Sequence, residues 1–215
     1  MTIIVGLYAQ DKVLIQGGRY TIPLYDTIYV TIPSKTIAVD SFMIDKYEVS
    51  NIEFGKHNIL DDEENYPVSK ISYEEAENFC ISKGGALPTQ EQWIVASSFE
   101  NGKFFPYPTK VYPIEDENNI NIKDERAIEL EDGGYGAEID LVDVDQAIVG
   151  INGIVGMLGN VWEITKTDGS YVVLKGGSFY NNSSKELLNN LVENRVLKFR
   201  LKDYEHIGFR CVYKK

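Results

Sequence analysis

Ligand-forming side chains are scarce in this sequence: 215 residues hold two cysteines, Cys80 and Cys211, and two histidines, His57 and His206. Two thiols cannot make a four-thiolate zinc site, and the histidines lack the helical spacing of a ligand pair. Long apolar runs are missing too. No stretch approaches the ~18 consecutive apolar residues that cross a bilayer, so membrane insertion is not expected. Residues 1–9 hold no basic group and the chain turns polar at Gln10 and Asp11, unlike a signal peptide. For an unsecreted chain the default reading of Cys80 and Cys211 is two buried thiols. Cations are in the minority: 21 Lys and Arg face 33 Asp and Glu, a formal net charge of −12. That balance repels phosphate backbones and argues against general nucleic-acid binding. A nucleophile elbow, a P-loop and a G-x-G-x-x-G turn are absent, which removes the commonest hydrolase and nucleotide readings.

What is present fits one mixed domain. Hydrophobic residues make up 43% of the chain, enough for a substantial core at this length. Neither an internal repeat nor a linker interrupts it, so 1–215 reads as a single α+β domain. Acidic runs at 61–64 and within 115–145 read as solvated loops. Alternation and turn residues predict strands over 12–18, 20–24, 27–32 and 37–45, then over 160–165, 171–175 and 208–213. Three capping boxes, Ser50 with Glu53, Ser72 with Glu75 and Thr89 with Gln92, predict helix starts. In the second helix Tyr73, Ala76, Phe79 and Cys80 share a face, and in the third Trp93 and Ala96 do, which marks them as core. Leu187, Leu188, Leu191 and Val192 have helical spacing and predict a short helix within 184–197. Periodicity disappears over 104–156, which predicts a long irregular loop region.

Six of these segments together resemble the formylglycine-generating-enzyme (sulfatase-modifying factor) family. VDSFMIDKYEVSN at 39–51 resembles its F-x-I-D-x-x-E-V-T-N segment, and YPVSKISYEEAENFC at 66–80 its P-V-x-x-V-S-W-x-x-A-x-x-Y-C. LPTQEQW at 87–93, GNVWE at 159–163, KGGSF at 175–179 and GFRC at 208–211 follow in the family's order. The resemblance implies a variant of the C-type lectin fold, with short antiparallel sheets, two to four helices and long irregular loops. It also implies that Cys80 and Cys211 form a structural disulfide.

The enzyme of that family oxidises a substrate cysteine with two cysteines that bind copper(I), placed between the G-G-S and G-F-R-C segments. Here that interval, 179–200, contains no cysteine. Soft thiolates select copper(I), and serine or asparagine cannot replace them, so formylglycine generation is not expected. The resemblance further implies calcium held by the carbonyls of Gly159 and Val161 and the carboxylate of Glu163. An acid or asparagine expected three residues before Gly159 is replaced by Gly156, which weakens such a site; a buried structural role suits Glu163 better. Related lectin-like domains use the same C-terminal interval as a binding face. Tyr180, Asn181, Asn182, Asn189, Asn190 and Asn194 have the composition of an adaptable contact surface. The expectation is a non-enzymatic module with a protein or glycan partner, able to form oligomers, cytoplasmic or carried on a phage particle assembled there. The alternatives are an enzyme with altered metal chemistry, for which two histidines are few, or a subunit that modulates an active relative.

Overall fold

The computed structural model describes residues 11–26, 31–56, 63–105, 141–179, 191 and 193–215. The first half holds strands β1 (Lys12–Ile15), β2 (Gly18–Ile22), β3 (Tyr25–Asp26), β4 (Thr31–Ile32), β5 (Lys35–Val39) and β6 (Phe42–Asp45). Helices α1 (Asn51–Phe54), α2 (Tyr73–Ser82) and α3 (Gln90–Ser98) follow, then the short strands β7 (Phe99–Glu100) and β8 (Lys103–Phe104). The C-terminal part adds β9 (Trp162–Ile164), β10 (Tyr171–Lys175), β11 (Asn194–Leu197), a 3-10 segment at Lys198–Asp203, β12 (Ile207–Gly208) and β13 (Val212–Lys214).

Two sheets organise the molecule. One has the order β1-β6-β13, all antiparallel; the other has the order β11-β10-β9-β12, in which β12 runs parallel to β9. The pairs β2-β5, β3-β4 and β7-β8 are separate ribbons.

Two segments that read as single strands are each divided between sheets. The stretch 37–45 breaks at Asp40 and Ser41 into β5 and β6, and its partner breaks at the same level into β1 and β2. Gly17 makes this joint bend: its N–H donates to Ser41 Oγ at 2.8 Å, and a Cβ there would lie 2.8 Å from the Asp40 carbonyl carbon. Only a residue without a side chain allows that approach. The stretch 208–213 divides into β12 and β13, and Phe209, Arg210 and Cys211 cross from one sheet to the other. On the way, the carbonyls of Phe209 and Cys211 accept from the N–H groups of Val49 and Asp45.

All three predicted helix starts are present. Ser72 with Glu75 and Thr89 with Gln92 form complete capping boxes. Ser50 supplies the hydroxyl half, accepting from the Glu53 N–H at 3.3 Å, and Gly55 in the left-handed region ends α1 after one turn. Tyr73, Ala76 and Cys80 are buried on α2, and Trp93 and Ala96 on α3. The helix predicted within 184–197 is corrected at its end, because Asn194–Leu197 pairs with β10 as a strand. Residues 180–190 and 192 lie outside the described residues.

Two apolar clusters form the core. The first gathers α2, Trp162, Ile164, Val172, Leu174 and Phe209; the second gathers α3, Trp93, Ile44, Ile154 and Met157. Side chains alternate along a strand, so Trp162 and Ile164 face the first cluster and Glu163 between them faces away from it. A buried polar seam lies where the two clusters meet.

Candidate functional site: a buried polar centre

Arg210 is the middle of this seam. It is fully buried, and each of its five N–H groups has an acceptor. Nε donates to Glu163 Oε1 and Oε2, both at 2.9 Å, and Nη2 donates to Glu163 Oε1 at 2.6 Å and to the Val155 carbonyl at 2.8 Å. Nη1 donates to the carbonyls of Asp45 at 3.3 Å and Lys46 at 3.1 Å. The planar fork of a guanidinium suits this bidentate pairing. Glu163 Oε2 also accepts from the Trp93 indole Nε1 at 2.7 Å, which ties α3 to β9 across the seam. One cation thereby joins the end of β6, the loop before β9, β9 itself and the crossing segment before β13.

Glycine and asparagine make room for these groups. Gly208 is the parallel neighbour of Glu163, and a Cβ on it would lie 2.8 Å from Val161 Cγ2 and 3.0 Å from the Val68 carbonyl. Asn160 adopts φ +55, which asparagine tolerates. Its Nδ2 donates to Glu48 Oε2 at 2.9 Å, and its Oδ1 accepts from the Val142 N–H at 3.2 Å. Gly156 has φ +74, and a Cβ there would lie 2.9 Å from the Glu48 carboxyl carbon. The space beside Gly156 is thus filled by Glu48, which arrives from the segment after β6.

Two further acids line the centre. Asp45 Oδ2 accepts from the Cys211 N–H at 3.0 Å and from the Tyr213 hydroxyl at 3.2 Å, while its Oδ1 is buried with no hydrogen-bond partner among the described residues. Burial pushes the Asp45 carboxyl up to about 6. Burial pushes Glu48 up to about 8, against the opposing pull of Arg210 and the hydrogen bonds from Asn160 and Val161. Lys175, the cross-strand neighbour of Glu163, is also buried and its ammonium is held below its ordinary value by that burial. Its Nζ turns away from the centre, to the Leu191 carbonyl at 3.3 Å and Glu193 Oε2 at 3.5 Å.

These shifts set a pH dependence. A carboxyl with a raised native value binds its proton more tightly when folded, so its stabilising effect is complete below the unfolded value and is lost as pH climbs through the native value. Stability is expected to fall between about pH 4.5 and 8, Asp45 acting in the lower part of that window and Glu48 in the upper part. Glu48→Gln, which mimics the protonated acid, is expected to be more stable than wild type by about 2 kcal/mol at pH 9 and equal to it near pH 4.5. Urea unfolding across that range is the measurement, and Asp45→Asn should flatten the curve near pH 6.

The structure brings Gly159, Val161 and Glu163 together in this centre, with the Val161 N–H bonded to Glu48 and the Gly159 N–H donating to the Gly176 carbonyl. Cys80 on α2 and Cys211 are joined in a disulfide with Cα atoms 5.5 Å apart, and both are fully buried. Asn194 is exposed at the start of β11. His206 is half-buried with its ring 5.4 Å from that of Tyr204. Tyr180, Asn181, Asn182, Asn189, Asn190 and His57 lie outside the described residues. Sequence reasoning missed Arg210, Glu48 and Asp45 as members of one centre, and the buried Lys175 beside it. Their common signal is a charge embedded in an apolar string, as in FMID, YVVLK and GFRCV.

Comparison with known proteins agrees with this architecture. The FGE-sulfatase family, described as the sulfatase-modifying factor enzyme 1-like domain, matches residues 7–215. The chain is 24% identical over 242 residues to the uncharacterized protein YfmG of Bacillus subtilis (strain 168), covering 84% of this chain and 48% of that one. It is 28% identical over 158 residues to the inactive C-alpha-formylglycine-generating enzyme 2 of Bos taurus, covering 68% of this chain and 50% of that one. The chain thus spans about half the length of the curated relatives it matches. The structure of PvdO from Pseudomonas aeruginosa superimposes with a TM-score of 0.71 at 14% identity, covering 95% of this chain and 94% of that one. The fold is therefore the α+β, formylglycine-generating-enzyme-like variant of the C-type lectin fold, and the chain belongs to the family of sulfatase-modifying factor enzyme 1-like domains.

Proposed function

We propose that this chain is a non-enzymatic binding or structural module that presents the interval between β10 and β11 to a protein or glycan partner, as part of a larger assembly such as a phage particle. One observation carries the non-enzymatic half. The sequence has two cysteines, and both are consumed in the Cys80–Cys211 disulfide. No thiolate pair is left to hold copper(I). The bovine relative, itself named inactive, supports the same reading.

The binding half rests on how the interval is anchored. β10 and β11 are antiparallel neighbours, so the chain leaves and returns at one edge of the four-stranded sheet. Phe179 and Leu191 are buried at either end, and the Phe179 N–H donates to the Asn160 carbonyl. Lys175 holds the returning end through Leu191 and Glu193. Fixed ends lower the ordering cost of whatever contact Tyr180, Asn181, Asn182, Asn189 and Asn190 make.

Two measurements test the reading. Incubated with copper(I), oxygen and a peptide bearing a sulfatase target cysteine, the protein should produce no aldehyde. On arrays of glycans and surface proteins, wild type should give signals that Tyr180→Ala/Asn182→Ala loses, with the melting temperature of the variant unchanged. Aldehyde formation would overturn the first half, and equal binding by wild type and variant the second.

A further inference from the structure

We propose that the outer edge of β11 is a dimerisation surface: a second copy of this chain pairs with it antiparallel about a two-fold axis at Val196, joining the two four-stranded sheets into one. Among the described strands β11 lies at the end of its sheet and pairs only with β10. The Thr165 N–H donates to the Val173 carbonyl, so the main chain of Val173 faces β9 and that of Val172 and Leu174 faces β11. Val172 and Leu174 are aligned with Val196 and Asn194. The main-chain groups of Arg195 and Leu197 therefore point out of the sheet.

Two of those groups are engaged within the chain. The Arg195 N–H donates to Asn194 Oδ1 at 2.7 Å, and the Leu197 carbonyl opens the 3-10 segment. The Arg195 carbonyl and the Leu197 N–H have no partner among the described residues. An acceptor and a donor on either side of one residue complement themselves when a strand meets its own copy antiparallel. With Val196 opposite its counterpart, each Leu197 N–H reaches the other copy's Arg195 carbonyl, and both orphan groups are satisfied.

The side chains suit the same register. Val196 packs partly buried against the first apolar cluster, and its counterpart would extend that cluster. Arg195 comes opposite the counterpart of Leu197, so no like charges are directly opposed. Tyr171, the cross-strand neighbour of Leu197, is 57% exposed, and Phe199 is 79% exposed. Charge complementarity favours a second copy as the occupant. Glu193 precedes the strand, while Lys198, Arg200 and Lys202 follow it. Antiparallel pairing sets the acidic end of one copy against the basic end of the other. Arg195, Arg200 and Lys202 stand in exposed ion pairs with Glu193, Asp203 and Glu75, which hold weakly and can be shared. A short edge with two main-chain bonds gives a dissociation constant on the order of 10–100 μM.

Sedimentation velocity of the full chain across about 5–500 μM is expected to show its mass rising from one copy to two. Leu197 has φ −65, the value proline imposes, so Leu197→Pro removes the edge donor and leaves the bonds to β10 in place. That variant should stay monomeric with the melting temperature of wild type. Phe199→Ser should weaken association at least about tenfold. Glu193→Lys and Arg200→Glu should each associate less than wild type and recover when mixed, since the mixture restores opposite charges at both ends of the pair. Hydrogen exchange at the Leu197 amide should slow as concentration rises.

A wild type that stays monomeric at the highest concentration would overturn the proposal. So would a dimer that Leu197→Pro and Phe199→Ser leave unchanged, which would put the contact on another face. Protection of the Leu197 amide already in dilute protein would show that the chain covers its own edge, and would count equally against it. Should Leu197→Pro fail to fold, Phe199→Ser and the mixed charge variants decide the matter.

Discussion

Glu163→Ala is expected to lower the stability of this protein by about 5 kcal/mol, and to shift the thermal midpoint by about 10–20 °C. The estimate follows from what the carboxylate leaves behind. Arg210 is fully buried and cannot give up its proton, so losing Glu163 strands a guanidinium with three carbonyls and no counter-charge at its closest contact. Breaking one side of a buried pair costs about 3–5 kcal/mol, and the orphaned Trp93 N–H adds about 1–3. Trp93→Phe removes that last contact together with part of a fully buried indole, and should cost less than Glu163→Ala. Removing the whole pair, as Arg210→Met/Glu163→Leu, should be milder than the sum of the two single changes. It should still fall short of wild type, because the carbonyls of Asp45, Lys46 and Val155 lose their donor. Urea unfolding of the four proteins gives the coupling directly. A double variant as stable as wild type would show that Arg210 serves Glu163 alone and holds no carbonyl cage.

The outline of the fold was readable because its signals are local. Capping boxes at Ser72 and Thr89 place α2 and α3, and a short apolar run between Asp168-Gly169 and Gly176-Gly177 places β10. Six short segments in order then supply the architecture through resemblance. What local reading could not supply is where a strand changes partner. Residues 37–45 look uniform, yet Gly17, distant in sequence, bends the paired strands at Asp40 and Ser41. Residues 208–213 look equally uniform, yet Arg210 must leave the strand path to reach Glu163. Charge inside an apolar string was the available clue to the centre. It marks burial with a partner and leaves the partner unnamed, since Asp45, Glu48 and Glu163 meet Arg210 only after folding.

The helical spacing of Leu187, Leu188, Leu191 and Val192 suggested a short helix within 184–197. The end of that stretch is instead a strand, because β10 offers an edge on which Val196 and Arg195 pair with Val172 and Val173. The residues of the proposed binding face fall in the same interval. Polar composition suggested their role, and the anchors at Lys175, Phe179 and Leu191 give it a physical setting.

Loss of the disulfide is the second large effect expected. The Cys80–Cys211 bond spans 131 residues of separation, and closing so long a loop stabilises the native state by about 5 kcal/mol in the chain-entropy model, with measured values often lower. Cys80→Ala/Cys211→Ala should therefore lose about 3–5 kcal/mol. The bond also has a local consequence, because Cys211 follows Arg210 directly and its N–H donates to Asp45. Releasing it frees the backbone that carries the guanidinium, so the tryptophan fluorescence of the double variant, from Trp93 and Trp162 together, should shift before global unfolding in urea. Both sulfurs are fully buried, and a thiol reductant must wait for the protein to open. Dithiothreitol alone should leave the native disulfide intact over hours, and the same reductant in urea near the midpoint should reduce it quickly. Mass spectrometry after alkylation follows both. Rapid reduction without urea, or a double variant that unfolds at the wild-type urea midpoint, would show that the bond does not hold α2 to the crossing segment.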